Sequence, residues 1–381
     1  MSRKKVLQIS HDYENPFPSV CAKYAQLFDP ERYAVTTVYL RGNPSEEVNR
    51  KTGGKEVLYF QLPEGSLRGL KSKALYKLYR LCRQEKFGCV IAHRYKPIYL
   101  AGIISYFVPI PLILGVAHEH QVFARTTRHL FLTRWCKNIK VLAVSDSVRE
   151  DVLDTCPSLR TANRVFTLHN SLDSVNLEKQ LLSRTEARRV LGLDRDKFVF
   201  GTVGRLVRRK DHDTLLRAFA RLTDDESILV LIGSGRRESH LRSLAEDLQI
   251  KARVFFLGHV ADAVKYLRAL DVFVLPSKRE PFGMVLLEAM LARVPVITSD
   301  TKGPREVLGE AACSFAVGDV DDLVIKMDQA RRQTATQREQ QTELAYLHLN
   351  ENFSIEAFRQ KFWQMDLLQV SPGNDNVESI T

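Results

Sequence analysis

The sequence predicts an α/β protein of two doubly wound, Rossmann-like domains facing a central cleft. Three observations carry this. Short runs rich in Val, Ile, Leu and aromatic residues, suited to parallel strands buried on both faces, alternate with longer helix-forming stretches. The alternation pauses near residue 172 and starts afresh near residue 198. A chain of 381 residues is long enough for two domains with substantial cores.

In the first half, residues 6–10 read as a buried strand, followed by a loop to Pro18 and a helix over residues 19–28. Residues 34–40 are β-branched and aromatic, hence a second strand. Residues 67–86 read as a helix with Leu70, Ala74, Leu75, Leu78, Leu81 and Cys82 on one face. Lys71, Lys73, Lys77, Arg80, Arg83 and Lys86 crowd the remainder, beside Tyr76 and Tyr79. The apolar face packs on a sheet, or the helix lies on a membrane with its cations at anionic headgroups. Both hold if the basic face touches lipid without insertion. Residues 89–93 and 111–117 are strands, the latter delivering His118 and His120 at its C-terminal end, where open parallel sheets bind ligands. Residues 141–145 and 164–168 complete the set, with Ser147 and Glu150 at capping-box spacing between them.

In the second half, residues 198–203 form a strand that runs into Gly204, Arg205 and Lys210, with a helix over residues 212–222. Gly204 lets the chain turn close to a ligand, and two cations suit a diphosphate. Residues 228–232 are a strand ending at Gly233 and Gly235, a pair too short for a dinucleotide fingerprint. Residues 253–260 are a strand and loop, 271–275 a buried strand, and 294–298 another. Residues 319 onward are long, polar and helical. Residues 353–368 carry Phe353, Ile355, Phe358, Phe362 and Trp363 in helical pattern, and residues 369–381 have little to bury and read as disordered.

The net charge of +11 is uneven. Residues 1–175 hold 26 Lys and Arg against 15 Asp and Glu, whereas the rest hold 30 of each. A basic first half points to an anionic partner: membrane lipid, a phosphorylated acceptor or nucleic acid. The interleaved basic–aromatic motifs and zinc spacings of nucleic-acid binders are missing, which disfavours the last. The six cysteines show no metal-ligand spacing and suit reduced thiols in a cytosolic chain.

The densest signal lies at residues 271–290. A strand is broken by Pro276 and Ser277, Pro281 and Gly283 mark a tight loop, and helix formers begin at Met284. The amides of Phe282, Gly283 and Met284 then open a helix, where donors and macrodipole favour an anion. Glu280 precedes them and Glu288 follows about one turn in. A carboxylate holds a vicinal diol by paired hydrogen bonds, so two acids beside an anion site fit a phosphate flanked by sugars.

Glu280 and Glu288, with seven residues between them beginning Pro281-Phe282-Gly283, resemble the paired-glutamate motif of family 4 retaining glycosyltransferases. Arg205 and Lys210, five apart after a strand, match the same family, as do His118 at a strand end and residues 170–173 at the interdomain linker. The resemblance is densest over residues 198–310. It implies the two-Rossmann-domain GT-B fold: an acceptor-binding domain over residues 1–172, a nucleotide-sugar-binding domain over 173–352, and a helix over 353–368 returning to the first domain. It implies transfer of a hexose, with retention, from a nucleoside-diphosphate sugar (UDP-sugar favoured) to a lipid-linked or phosphorylated glycan, as in lipopolysaccharide or polysaccharide synthesis. Arg205, Lys210 and the helix amides would hold the diphosphate, Glu288 the ribose and Glu280 the sugar. Gly204, His259 and Val260 would line the donor site, and His118, with His120 as rival, would orient sugar or acceptor. The family's first loop often carries a Gly-Gly pair; here residues 15–19 hold no glycine, so this loop binds differently or serves the acceptor. With two cations and a helix terminus on the phosphates, neither metal nor cofactor is expected. The expected setting is cytoplasmic, at the inner face of the cytoplasmic membrane. A catalytically silent nucleotide-sugar binder and a nucleic-acid binder are the competing readings.

Overall fold

The computed structural model describes residues 3–14, 16–54, 56–69, 71–223, 226–309 and 313–367. Leu70 and the 369–381 tail, on which expectations were placed, lie outside them. The chain forms two compact units, one from Met1–Ser171 with the segment from Phe358, the other from Leu172–Ala357.

The first unit is built on seven strands: β1 (Lys4–Ser10), β2 (Tyr33–Tyr39), β3 (Glu56–Tyr59), β4 (Cys89–His93), β5 (Leu112–Ala117), β6 (Ile139–Ala143) and β7 (Val165–Thr167). They lie in the order β3-β2-β1-β4-β5-β6-β7, all parallel, with Val6 opposite both Val35 and Cys89. Leu7 and Ile9 are buried, as a strand covered on both faces requires. The direction of strand addition reverses between β1 and β4, which makes their C-terminal ends the ligand-binding position of such a sheet.

The second unit holds β8 (Phe198–Val203), β9 (Ser227–Ile232), β10 (Val254–Gly258), β11 (Val272–Leu275), β12 (Val296–Ser299) and β13 (Cys313–Phe315). Their order is β10-β9-β8-β11-β12-β13, again parallel, and the reversal falls between β8 and β11. The expected pair of doubly wound α/β sheets is therefore present.

Some elements differ from expectation. Strand β3, with its partly exposed edge, the helix Glu46–Thr52 and β13 were not anticipated. Short edge strands with few apolar residues give little periodicity to read. The helix expected over residues 67–86 spans Ser72–Glu85, with Ala74, Leu78 and Cys82 buried, so its apolar face packs in the core. Ser145, not Ser147, caps the next helix, Asp146–Thr155, by accepting from the Val148 amide. Ser147 instead hydrogen-bonds His120 Nε2 at 2.7 Å.

The last described helix, Ile355–Gln364, begins two residues later than expected. Phe353 ends the preceding helix and lies 5.7 Å from the Phe282 ring of the second unit. Phe358 and Phe362 join the first unit's core, their rings 5.3 Å from Tyr24 and 5.7 Å from Phe28. Trp363 donates its indole N–H to the Leu27 carbonyl at 2.8 Å. Among the described residues no helix is long and apolar enough to cross a membrane.

Candidate active site

In the second unit, the loops after β8 and β11 flank the reversal point. Lys210, on the short turn Arg208–Lys210, forms an ion pair with Glu280 Oε2. Both side chains are largely buried, at 14% and 12% exposure. The Ser277 hydroxyl donates to the same oxygen at 3.2 Å. A second stitch runs beside the first: the Lys278 amide donates to Arg209 O at 2.9 Å, and Lys278 Nζ lies 2.9 Å from Asp211 Oδ1. The carboxylate expected to face a sugar and a cation expected to face a diphosphate thus hold each other.

Close backbone packing builds the floor. A β-carbon on Gly233, at φ 141°, would fall 1.9 Å from the Gly204 carbonyl oxygen, so the ends of β8 and β9 touch only because that residue is glycine. The expectation of a tight strand-to-helix turn at Gly233 and Gly235 holds. Gly303 also lies close against the Glu280 and Pro281 backbone, where a β-carbon would fall 2.4 Å from the Glu280 carbonyl oxygen. Helix Met284–Leu291 follows Gly283, at φ 99°, with no side-chain cap; a helix opening of this kind presents its amides and positive dipole end to an anion. Glu288 is half-buried one turn in, and Phe282 is buried.

Arg205 is exposed and has no ion pair among the described residues. His259 is exposed and Val260 half-buried. Gly258 links their segment to the floor by accepting from the Gly233 amide at 2.7 Å. Lys210, Glu280, Gly204 and the Gly283 turn therefore share the β8–β11 end of the sheet, whereas Arg205 and His259 reach solvent.

In the first unit, the half-buried His118 follows β5. Its Nε2 lies 3.1 Å from His93 Nδ1, and His93 Nε2 lies 2.9 Å from Gln8 Oε1. Gln8 Nε2 donates to the Cys21 carbonyl at 3.0 Å and to Thr37 Oγ1 at 3.1 Å, so Oε1 is the acceptor. His93 accordingly bears its proton on Nε2 and accepts at Nδ1 from His118 Nε2–H. That leaves His118 Nδ1 as a lone-pair acceptor. Burial, then Arg94, pushes His93 down to about 3. Burial, then His93, Arg94 and Lys23, holds His118 well below the ordinary histidine value. Phe17 packs edge-on to His118 at 5.6 Å, and the Arg94 guanidinium covers Phe17 at 4.0 Å.

Gln8, His93, Ser277, Lys278 and Asp211 carried no sequence expectation of a site role. Gln8 left one legible signal, a polar residue inside an otherwise apolar strand. His93 left another, its position at a strand end beside the reversal point.

A cation paired to a carboxylate beside an uncapped helix opening suits a phosphorylated sugar. Residues 183–347 match the profile of the family described as glycosyl transferases group 1. The lipopolysaccharide core biosynthesis glycosyltransferase LpsE of Rhizobium meliloti is 35% identical over 154 residues, 38% of this chain and 45% of that protein. An Escherichia coli UDP-Gal:alpha-D-GlcNAc-diphosphoundecaprenol alpha-1,3-galactosyltransferase is 25% identical over 267 residues, 66% of this chain and 68% of that protein. The chain spans about half the length of the first curated relatives it matches. Among solved structures, Anabaena HepE in complex with UDP and glucose superposes with a TM-score of 0.77 at 19% identity, covering 95% of this chain and 98% of that one. The stretch that matches the glycosyl transferases group 1 profile, residues 183–347, is the one that holds the Lys210–Glu280 pair and the Gly283 turn.

Proposed function

We propose that the protein transfers a hexose, with retention of anomeric configuration, from a nucleoside-diphosphate sugar to a lipid-linked or phosphorylated glycan. The observation that carries this is the Lys210–Glu280 ion pair at the β8–β11 reversal point, beside the helix opening at Gly283. UDP is the favoured carrier, in keeping with the UDP seen in HepE and named for the E. coli relative. The latter's diphosphoundecaprenol acceptor supports a lipid-linked acceptor here.

In this mechanism Arg205 and the amides after Phe282 hold the diphosphate. Lys210 adds charge as the leaving phosphate becomes more negative, a stabilisation worth most where water is excluded. Glu280, oriented by Lys210 and Ser277, accepts hydrogen bonds from donor-sugar hydroxyls. Glu288 does the same for the ribose, His259 and Val260 border the base, and His118 offers Nδ1 to a sugar or acceptor hydroxyl. The acceptor proton leaves with the departing phosphate on the same face, so no separate base is required. The first unit binds the acceptor, in a cytoplasmic protein lying against the membrane through its basic surface.

The test is a thermal-shift series with UDP, GDP, ADP and dTDP sugars, followed by turnover of the stabilising donor. A ligand at a hundredfold excess over Kd adds about 2.7 kcal/mol, several degrees for a unit of this size. Glu280→Ala is expected to abolish turnover while keeping part of the donor shift. Donor binding without turnover in the wild type, across a panel of acceptors, would mark a silent nucleotide-sugar binder. No shift with any donor would end the reading.

A further inference from the structure

The glycine-free loop after β1 sits in a cluster of cations that the donor site does not use. Lys96 lies in the first turn of the helix Tyr95–Ile104, which has no side-chain cap and no acidic residue in that turn. Its Nζ meets His11 Nε2 at 3.2 Å. A lysine only donates, so His11 Nε2 accepts and its Nδ1 donates to Asp12 Oδ2 at 2.6 Å. The other Asp12 oxygen accepts the Glu14 amide at 3.3 Å. The nearest carboxylate is thereby occupied, and Lys96 is left facing an uncharged ring nitrogen.

Other cations gather around it. Arg41 follows β2, its amide bonded to the His11 carbonyl at 3.1 Å. Lys71 lies 4.3 Å above the Tyr99 ring, one turn beyond Lys96. Burial, then repulsion from Arg41 and Arg68, lowers Lys96 from its ordinary value, and burial, then Lys96, lowers Lys71. Against these four stand two carboxylates, Asp12, already bonded to His11, and the exposed Glu64, 3.9 Å from Arg41. Partly desolvated cations that repel one another cost stability unless an anion joins them. The cluster occupies the ends of β1, β2 and β4, where this sheet's topology places a ligand.

We propose that Lys96, Arg41, Arg68 and Lys71 form a binding site for a phosphate ester or diphosphate borne by the acceptor. This deepens the transferase reading and rests on it for the word acceptor; the anion site itself stands on the first unit alone. Arg41 and Arg68 supply paired donors for phosphate oxygens, Lys96 a point charge, and the helix opening its amides. Tyr13, wedged edge-on between Tyr39 at 5.8 Å and Tyr59 at 6.0 Å, keeps the loop in place without glycine. A soluble phosphorylated glycan and a lipid-linked diphosphate share this chemistry.

The test is isothermal titration of the full chain with inorganic pyrophosphate while UDP saturates the second unit. Wild type is expected to bind. Lys96→Ala combined with Arg41→Ala should weaken binding at least tenfold, and Lys96→Arg should stay within threefold of wild type. The UDP-induced thermal shift should be unchanged in all, which also reports that the variants fold. No binding by wild type, or equal affinity in the double variant, overturns the site. If UDP does not bind, the donor reading fails separately, and the variant comparison is still read with pyrophosphate alone. Sedimentation with phosphatidylcholine vesicles, with and without phosphatidic acid, names the source. Loss of phosphatidic-acid binding in the double variant assigns the phosphate to a lipid. Vesicle binding unchanged beside lost pyrophosphate binding assigns it to a soluble ester.

Discussion

His93 Nδ1 lies 3.1 Å from His118 Nε2, and Gln8 fixes which of them donates. This buried row keeps His118 neutral with a lone pair on Nδ1. With its pKa already low, His118 should contribute no protonation limb to the rate near pH 6–7. His93→Ala removes both the acceptor and the neighbouring ring. The His118 value then rises in part, since burial, its largest cause, remains; the acid limb of the rate moves to higher pH than in wild type, and kcat falls roughly 10- to 100-fold through loss of orientation. A kcat–pH profile superposable on wild type would sink the assignment of His93 as a positioning residue.

The same burial makes stability depend on pH. His93 is pushed down to about 3 and His212 to about 4, each chiefly by burial, and His118 is lowered too. The unfolded chain therefore takes up more protons than the folded one once pH drops below about 6.5. Stability is full above that pH and lost as it falls toward 4. The melting temperature should decline between pH 7 and pH 5, and His212→Gln should flatten that decline. A melting temperature unchanged over this interval would contradict the neutral, buried state of these rings.

Lys210 and Glu280 invite a double-mutant cycle. Removing one partner strands the other's charge in a largely buried position, at a cost of about 3 kcal/mol. Lys210→Met and Glu280→Gln should each lower the urea midpoint, and the double variant should recover much of the loss. All three should lose turnover by more than a hundredfold if the pair acts on the donor. Additive stability losses would show that the two side chains do not pair in solution.

How much of this was legible depended on whether the signal was local. The Glu280–Glu288 stretch was readable because strand, breaker, glycine and helix follow one another within twenty residues. The ion pair was not, since Lys210 and Glu280 are seventy positions apart and meet only through the adjacency of β8 and β11. Arg188 shows the limit most sharply. On a helix written Arg-Thr-Glu-Ala-Arg-Arg-Val-Leu it looks like any solvated cation, yet it is 1% exposed. Its guanidinium donates to the carbonyls of Ala269, Arg195 and Lys197 and to Asp271 Oδ2 at 2.6 Å.

Arg188 is consequently expected to be a stability residue. Arg188→Ala leaves several carbonyls unsatisfied and Asp271 held by Arg184 and the Val199 amide without its buried partner, so denaturant unfolding should register a loss of about 3 kcal/mol. Arg188→Lys should recover little, because one ammonium cannot reach carbonyls spread around a planar fork. A loss under about 1 kcal/mol would mean the site relaxes or admits water.

Chelation tests the metal-independent mechanism. If Arg205, Lys210 and the helix opening neutralise the diphosphate, EDTA should leave kcat/KM within twofold. A fall above tenfold, restored by magnesium, would move charge neutralisation to an ion.

The first unit's surface gives the last test. Tyr76, Phe107 and Trp135 are 62%, 69% and 62% exposed, large areas for aromatic side chains to leave in water. They are linked through their neighbours: the Tyr79 and Phe107 rings lie 6.4 Å apart, and the Tyr106 hydroxyl reaches the Trp135 carbonyl. Basic residues of the Ser72–Glu85 helix border them, with Arg80 over the Tyr76 ring and Arg83 over Tyr79. Aromatic residues favour the headgroup level and cations favour anionic lipid. Phe107→Ser with Trp135→Ser should therefore reduce sedimentation with phosphatidylglycerol vesicles at least fivefold at 0.15 M salt. Because these side chains are exposed, the melting temperature should stay within about 1–2 °C of wild type. Undiminished sedimentation would show that charge alone, without aromatic contact, holds the protein to the vesicle.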